Sequence, residues 1–196
     1  MRTIGLACLL LLLFSGCQSE KKKEEVKDTV GTLPKLDTIV KEISPAIGVD
    51  SLFNGIPEQA LPFVDSTNFD NFKQQGISNP TLIGLLKFQA DYSNLEDIKI
   101  RYQVRFSSSI RGLVITYPIS DQELNTTLLI LNNKHEVVDE MDIAYDETAE
   151  SAIREWTLIE KDKLRIEHWN YFSEEPTVER KVYSIRADGK LVPLNN

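Results

Sequence analysis

Thiols are scarce in this chain, and their scarcity excludes several classes of protein. Of 196 residues only two are cysteines, Cys8 and Cys17, and both lie near the N-terminus. Two cysteines are too few to frame a small disulfide-stabilised domain. Beyond Cys17 no thiol remains for nucleophilic catalysis or for a cysteine metal site. The remainder of the chain therefore depends on a hydrophobic core for its stability.

Positive charge is also in short supply. The chain has 22 Lys and Arg residues against 30 Asp and Glu, which gives a formal net charge of -8. General nucleic-acid binding relies on a cationic surface that displaces counterions, so this balance argues against a nucleic-acid partner. A hydrophobic fraction of 41% and a charged fraction of 27% are typical of a folded globular domain. They exclude a long disordered chain and a polytopic membrane protein.

The N-terminus carries the sharpest motif in the sequence. Arg2 precedes an uncharged, mostly apolar run from Ile4 to Phe14. A membrane-spanning helix takes about 20 apolar residues, so this run has the length of a signal-peptide core instead. It ends in Phe14-Ser15-Gly16-Cys17, which resembles the lipobox of bacterial lipoproteins, although Phe14 replaces the usual aliphatic residue. The alternatives are an ordinary secretory signal and an uncleaved anchor.

The lipoprotein resemblance implies a location and a modification, but no activity. It implies that residues 1–16 are a signal peptide and that lipid is attached to Cys17. Two or three acyl chains hold a protein on a membrane far more firmly than one chain. Gln18 stands where an Asp would favour inner-membrane retention, so the resemblance implies the outer membrane of a Gram-negative-type envelope. The periplasmic and the surface face both stay open.

Composition divides the rest of the chain into three parts. Residues 17–36 are rich in Lys and Glu and have few large apolar residues, and we expect a lipid-anchored disordered tether. Residues 37–92 form a transition segment with short helices, which we predict at Thr38–Ile43 and at about Asn68–Gln75. The second helix would begin with a capping box formed by Thr67 and Asp70. Residues 81–92 are apolar without a clear period, and both helix and strand stay open there.

Residues 93–196 are predicted to form a mainly β domain. From Ile98 to Phe106 apolar residues alternate with polar ones, which is the pattern of a half-buried strand. Seven further strands follow, and residues 132–134, 161–163 and 188–190 form turns between apolar runs. Leu128–Leu131 is apolar on both faces, which predicts a second layer. We therefore expect an antiparallel meander of about eight strands, as a small barrel, a half-barrel or a two-layer sheet with short N-terminal helices. The predicted strand ranges are 98–106, 112–117, 125–131, 135–143, 152–159, 164–172, 178–185 and 190–194.

The domain shows no catalytic motif and suggests only a surface for binding. Trp169 and Tyr171 share one strand face, and Glu140 and Asp142 share another; we name these four residues as a candidate binding face. Exposed aromatic residues of this kind bind sugars or peptides, although we favour core packing for them. The acidic residues between positions 139 and 150 are either a solvated face, a calcium site or a patch for a cationic partner. We interpret His168 as hydrogen-bonded or half-exposed; a metal site that also used Asp139 and Glu155 is the alternative.

These observations lead to one main hypothesis and two alternatives. The body of the chain is similar to a loose group of small envelope lipoproteins that have no assigned activity. We expect a non-enzymatic, lipid-anchored envelope protein with a binding or structural role. Its expected partners are the membrane, through Cys17, and an envelope protein or glycan; we expect no cofactor, no metal ion and no nucleic acid. The alternatives are an inhibitor of a cationic lysozyme-like enzyme, which the negative charge would attract, and an envelope hydrolase.

Overall fold

The structure is a computed structural model that describes residues 48–88, 90, 94–148 and 152–194. The predicted signal peptide, the lipid attachment residue Cys17, the predicted tether and the predicted helix at Thr38–Ile43 lie outside the described residues. Within the described part of the chain, no helix is long and apolar enough to cross a membrane.

The domain is mainly β, as the sequence predicted. In the part of the chain that the structure describes, nine antiparallel strands form one open sheet, in which β2 to β9 are neighbours in chain order and β1 pairs with β6. Every strand predicted from residue 98 onward is present with its ends moved by a few residues, and β1 is an addition. The strands are β1 (Phe63–Asp65), β2 (Lys99–Arg105), β3 (Arg111–Ser120), β4 (Glu123–Leu131), β5 (Val137–Glu147), β6 (Ile153–Ile159), β7 (Lys163–Asn170), β8 (Thr177–Ile185) and β9 (Leu191–Pro193).

Helical structure in the described residues is limited to short pieces before β2. They are a 3₁₀ turn at Val49–Phe53, helix α1 at Phe69–Phe72 and helix α2 at Pro80–Leu85. Helix α2 resolves the open segment near residue 81 as helical. It begins at a capping Asn79, whose side chain accepts the Leu82 N–H at 3.0 Å, and it has proline in its first turn, where the missing N–H costs nothing.

The predicted capping box of α1 is wrong by one residue. Asn68 is the N-cap, and its side chain accepts the Asn71 N–H at 3.0 Å, while the Asn71 side chain accepts the Asn68 N–H at 3.0 Å. Thr67 does not cap the helix because its hydroxyl and its N–H both donate to Asp65. The helix is also shorter than predicted, because Lys73 adopts a left-handed conformation with φ of 41°.

A β-bulge interrupts the regular alternation of β2. Ile100 pairs with Ile115, but Tyr102 pairs with the next residue along, Val114, so Arg101 is an extra residue. As a result Ile100 packs into one hydrophobic cluster and Tyr102 into another. The sequence pattern suggested a single stripe on this strand, and the bulge divides that stripe between two faces.

Two hydrophobic clusters lie on opposite faces of the central strands. The first joins the 3₁₀ turn and α2 to one face of β2–β4. The second joins the other face of these strands to residues of β5–β9. The second layer predicted from Leu128–Leu131 is confirmed: these residues are 0% exposed, with Leu129 and Leu131 in the first cluster and Leu128 and Ile130 in the second.

The segment between Pro57 and Asp65 lies alongside two strands that are distant in the sheet order. At one end the Gln103 N–H of β2 donates to the Pro57 carbonyl at 2.8 Å, and the Gln59 N–H donates to the Gln103 carbonyl at 2.8 Å. At the other end β1 pairs with β6, with Asp65 opposite Thr157. The segment therefore contacts both β2 and β6, and it places the Asp65 carboxylate beside Tyr102.

Candidate functional site

Three aromatic side chains form a stack across β6 and β7, which we call the aromatic stack: Trp156, Trp169 and Tyr171. Trp156 pairs with Glu167, so Trp169 is its diagonal neighbour on the same face. The ring centroids of Trp156 and Trp169 are 5.4 Å apart with an interplanar angle of 22°. Those of Trp169 and Tyr171 are 6.0 Å apart with an angle of 17°. The three rings are therefore nearly parallel.

The aromatic stack lies outside both hydrophobic clusters. Trp156 and Trp169 are half-buried, Tyr171 is 39% exposed, and the adjoining Phe172 is 62% exposed. The interpretation of these aromatic residues as core is therefore wrong. The rings therefore keep a surface that is open to solvent.

Charged side chains frame the aromatic stack and hold one ring in place. The Trp169 Nε1–H donates to the Glu167 carboxylate at 3.0 Å, and Arg180 Nε donates to the same carboxylate at 2.9 Å. The hydrogen bond from Arg180 lowers the pKa of Glu167. On the other side, Arg154 is paired with Trp169 across the strands and lies 3.3 Å from the Asp146 carboxylate. The surface thus combines indole and phenol rings with two arginines.

Glu140 and Asp142 belong to a different surface of β5. The Asp142 carboxylate accepts hydrogen bonds from the Asn125 amide at 2.9 Å and the Thr127 hydroxyl at 2.7 Å. The same Asn125 amide donates to the Tyr117 hydroxyl at 2.9 Å. Burial is the main cause of the raised pKa of Tyr117, and the negative charges of Asp142 and Glu140 raise it further. This network ties Asp142 into the sheet.

The structure does not bring the four candidate residues onto one face. A row of paired residues crosses β4 to β7 on one face of the sheet: Asn125, Tyr145, Glu155 and His168. Asp142 accepts a hydrogen bond from Asn125 of this row. Trp169 directly follows His168 in β7, and successive strand residues point to opposite faces, so Trp169 and Tyr171 lie on the opposite face from the row.

The acidic residues near position 140 are dispersed rather than clustered. Asp139 accepts the Leu191 N–H at 2.9 Å and so links β5 to β9. Asp146 is 2% exposed and accepts the Phe69 N–H at 3.0 Å at the start of α1. Glu150 lies outside the described residues. In the ranges that the structure describes, no group of three or more His, Cys, Asp and Glu residues could hold a metal ion.

His168 has a carboxylate neighbour on the adjoining strand. Its Nδ1 lies 3.3 Å from Glu155 Oε2, and the histidine side chain is 38% exposed. Burial raises the pKa of Glu155, and the contact with His168 opposes that shift. His168 is thus hydrogen-bonded and partly exposed, as we interpreted it. The other histidine, His135, stacks on the Phe53 ring with a centroid separation of 4.8 Å.

A cleft that the sequence did not indicate lies between β1, α1 and β2. Its volume is about 690 Å³, and Asp65, Arg101 and Tyr102 line it. These residues are far apart in the chain, and Arg101 occupies a polar position in an alternating strand, where a solvated side chain is the ordinary expectation. Only the bulge at Arg101 and the position of β1 bring them together.

Comparison of the chain with protein-family models, with curated proteins and with solved structures finds no match. The candidate surfaces are therefore interpreted from their own geometry.

Proposed function

We propose that this protein is a non-enzymatic, lipid-anchored component of the bacterial cell envelope that binds another envelope protein through the aromatic stack. The Phe14-Ser15-Gly16-Cys17 motif supports the anchor, since cysteine after two small residues at the end of an apolar run is the pattern of a lipid attachment site. The acidic composition supports a partner other than nucleic acid.

The observation that carries the binding role is the exposure of the aromatic stack. A folded domain ordinarily places large aromatic rings in its core, yet here two tryptophans and a tyrosine lie outside both clusters. Tryptophan, tyrosine and arginine are the residues that dominate the binding energy of protein interfaces. Arg154 and Arg180 stand beside the stack, which gives the surface that composition.

The mutual stacking of the rings favours a protein partner over a glycan. Sugars bind to the open faces of aromatic rings, whereas in this nearly parallel stack each ring has another ring against at least one face. The edges of the rings and the flanking charged groups remain accessible. A protein can pack apolar and polar side chains against such edges, so a protein surface is the better complement.

The anchor is tested by replacing each cysteine separately. Cells that express the full chain are labelled with an alkyne analogue of palmitate, and the membrane fraction is collected. We expect Cys17→Ser to lose the label, because Cys17 is the predicted attachment site, and Cys8→Ser, which removes a thiol of the predicted signal peptide, to keep it as the matched control. Retention of the label by Cys17→Ser would contradict lipid attachment at this residue.

The binding surface is tested by site-specific photo-crosslinking in intact cells. A photoreactive amino acid at Tyr171 should give a discrete adduct, whereas the same group at Lys161, in the exposed turn between β6 and β7, should not. Trp169→Ala should abolish the adduct at position 171 without unfolding the domain, as followed by circular dichroism. An adduct removed by protease supports the proposal. An adduct removed by a muramidase instead, or equal adducts at both positions, would overturn it.

A further inference from the structure

Among the described residues that line the cleft, Arg101 has a buried side-chain donor without a hydrogen-bond partner. Its guanidinium carbon lies 5.1 Å from the centroid of the Phe72 ring, and its Nη1 is buried. Among the described residues it forms no hydrogen bond and no ion pair within 4.0 Å. A guanidinium group carries five N–H donors, and a buried donor that stays unpaired destabilises the fold.

The arginines elsewhere in the domain have different partners, and Arg111, like Arg101, lies over an aromatic ring, with its guanidinium carbon 5.0 Å from the Phe53 centroid. Four of them form ion pairs with a neighbouring carboxylate at distances between 2.7 and 3.5 Å. These pairs are Arg105–Glu58, Arg154–Asp146, Arg165–Glu160 and Arg180–Glu167.

The neighbouring carboxylate, Asp65, is not free to pair with Arg101. One of its oxygens accepts the N–H and the hydroxyl of Thr67 at 2.8 and 2.6 Å, and the other accepts the Tyr102 hydroxyl at 2.6 Å. Asp65 is 2% exposed and is fixed by these three donors. Burial lowers the pKa of Arg101, while the charge of Asp65 opposes that shift. The charge of Asp65 thus offsets part of the cost of burying the guanidinium, although Asp65 accepts no hydrogen bond from it.

We propose that the cleft binds a small molecule through a carboxylate group, which pairs with Arg101. The planar fork of a guanidinium group matches the two oxygens of a carboxylate. The volume of about 690 Å³ lies within the ordinary range of small-molecule sites, about 300–1,000 Å³. The amide side chains of Gln59 and Gln75 also line the cleft and supply further polar contacts. A singly charged carboxylate suits the site better than a doubly charged phosphate because the negative charge of Asp65 lies beside it.

The wall of the cleft next to Arg101 is built for close approach of the backbone. Gly76 has φ of 123°, and a Cβ at this position would lie 2.9 Å from the Ile100 carbonyl oxygen and 3.3 Å from Arg101 Cδ. Only glycine fits there without displacing the bulge. Glycine at position 76 thus permits this close approach beside Arg101, and its amide is a convenient probe of binding.

The test is an NMR titration of the full, lipid-anchored chain in detergent micelles. The probes are N-acetylalanylalanine, the same peptide with an amidated C-terminus, and inorganic phosphate, each up to about 10 mM. We expect the free-acid peptide to shift the amide signals of Gly76 and Tyr102 and the amidated peptide to leave them unchanged. The two peptides differ only in the carboxylate, so the contrast isolates its contribution.

Variants at two positions of β2 complete the test. Arg101→Met should abolish the shift changes, and Arg105→Met, which removes an exposed arginine of the same strand, should preserve them. If Arg101→Met fails to fold, Arg101→Lys keeps the charge but not the fork and should bind the free-acid peptide more weakly than the wild-type chain. Equal shifts with both peptides, shifts with phosphate alone, no shift with any probe, or unchanged binding by the Arg101 variants would each overturn the proposal.

Discussion

Strands β4 and β8 have the same backbone geometry but opposite surroundings. Every residue of β4 after Glu123 is buried, whereas no residue of β8 is buried. The last residues of β4, Thr126 to Leu131, are short-chain or apolar without a break, while charged residues run through the first half of β8. The continuous apolar pattern of β4 belongs to a strand that is covered on both faces. The mixed pattern of β8 belongs to a strand with one open face.

The difference between these strands separates stability from recognition in this fold. The region of β2–β4 is covered by α2 on one face and by the second cluster on the other, so its side chains are committed to packing. The region of β6–β8 lacks the helical layer, and there the aromatic stack keeps an open surface. The Arg101 cleft lies at the border of the covered region, where the bulge of β2 meets β1 and α1.

The largest expected effect comes from truncating one leucine in each region. Leu129→Ala should lower the free energy of unfolding by about 3–5 kcal/mol, because Leu129 is 0% exposed in the covered strand. Leu158→Ala, at a half-buried position of β6, should cost less than about half as much because less apolar surface is lost. Urea unfolding followed by tryptophan fluorescence measures both values. Equal losses would show that the two regions are packed alike.

An intermediate effect is expected for two tyrosines that each donate to a carboxylate. Tyr102→Phe should lower the free energy of unfolding by about 1–3 kcal/mol, because it leaves the enclosed Asp65 without one of its donors. Tyr145→Phe removes a similar hydrogen bond of 2.9 Å to the partly exposed Glu123, which water can replace, so a smaller loss is expected. The same urea titration compares the two variants. A larger loss for Tyr145→Phe would contradict the conclusion that Asp65 is more deeply buried than Glu123.

The smallest effect is a pH dependence in the open region. Burial holds the pKa of Glu155 above its ordinary value of 4.5, so the folded state binds this proton more tightly than the unfolded chain does. This tighter proton binding by Glu155 stabilises the folded state below pH 4.5, and the stabilisation is lost as the pH rises through the folded-state pKa. Stability of Glu155→Gln relative to the wild-type chain should therefore increase from pH 4 to pH 7. A relative stability that stays constant or falls over this interval would be the contrary result.

The order of the strands could be predicted from the sequence because each signal is local. Alternation from Ile98 onward, the turn residues near 133, 162 and 189, and the apolar run of β4 all act between near neighbours in the chain. The capping box of α1 could not be placed correctly, since Thr67 and Asn68 are both good caps. The choice depended on Asp65, which takes both donors of Thr67.

The two candidate surfaces differ in how far the sequence could indicate them. Trp169 and Tyr171 could be placed on one strand face, but their exposure depends on whether another layer covers that face. Glu140 and Asp142 were grouped with them, and the register of β5 to β7 places Asp142 on the opposite side from Trp169. The Arg101 cleft had no sequence signal at all, because it needs a bulge in one strand and a three-residue strand from a distant segment.

The sequence by itself determined that this chain forms an antiparallel meander with a second layer over its apolar strands. Periodicity and turn chemistry are local properties, and they are sufficient for that conclusion. Only the tertiary structure decided which faces are covered and where polar groups meet. The pairing of β1 with β6 places Asp65 beside Tyr102, and the two hydrophobic clusters leave the aromatic stack outside them. These outcomes depend on contacts between residues that are distant in the chain, which no local pattern records.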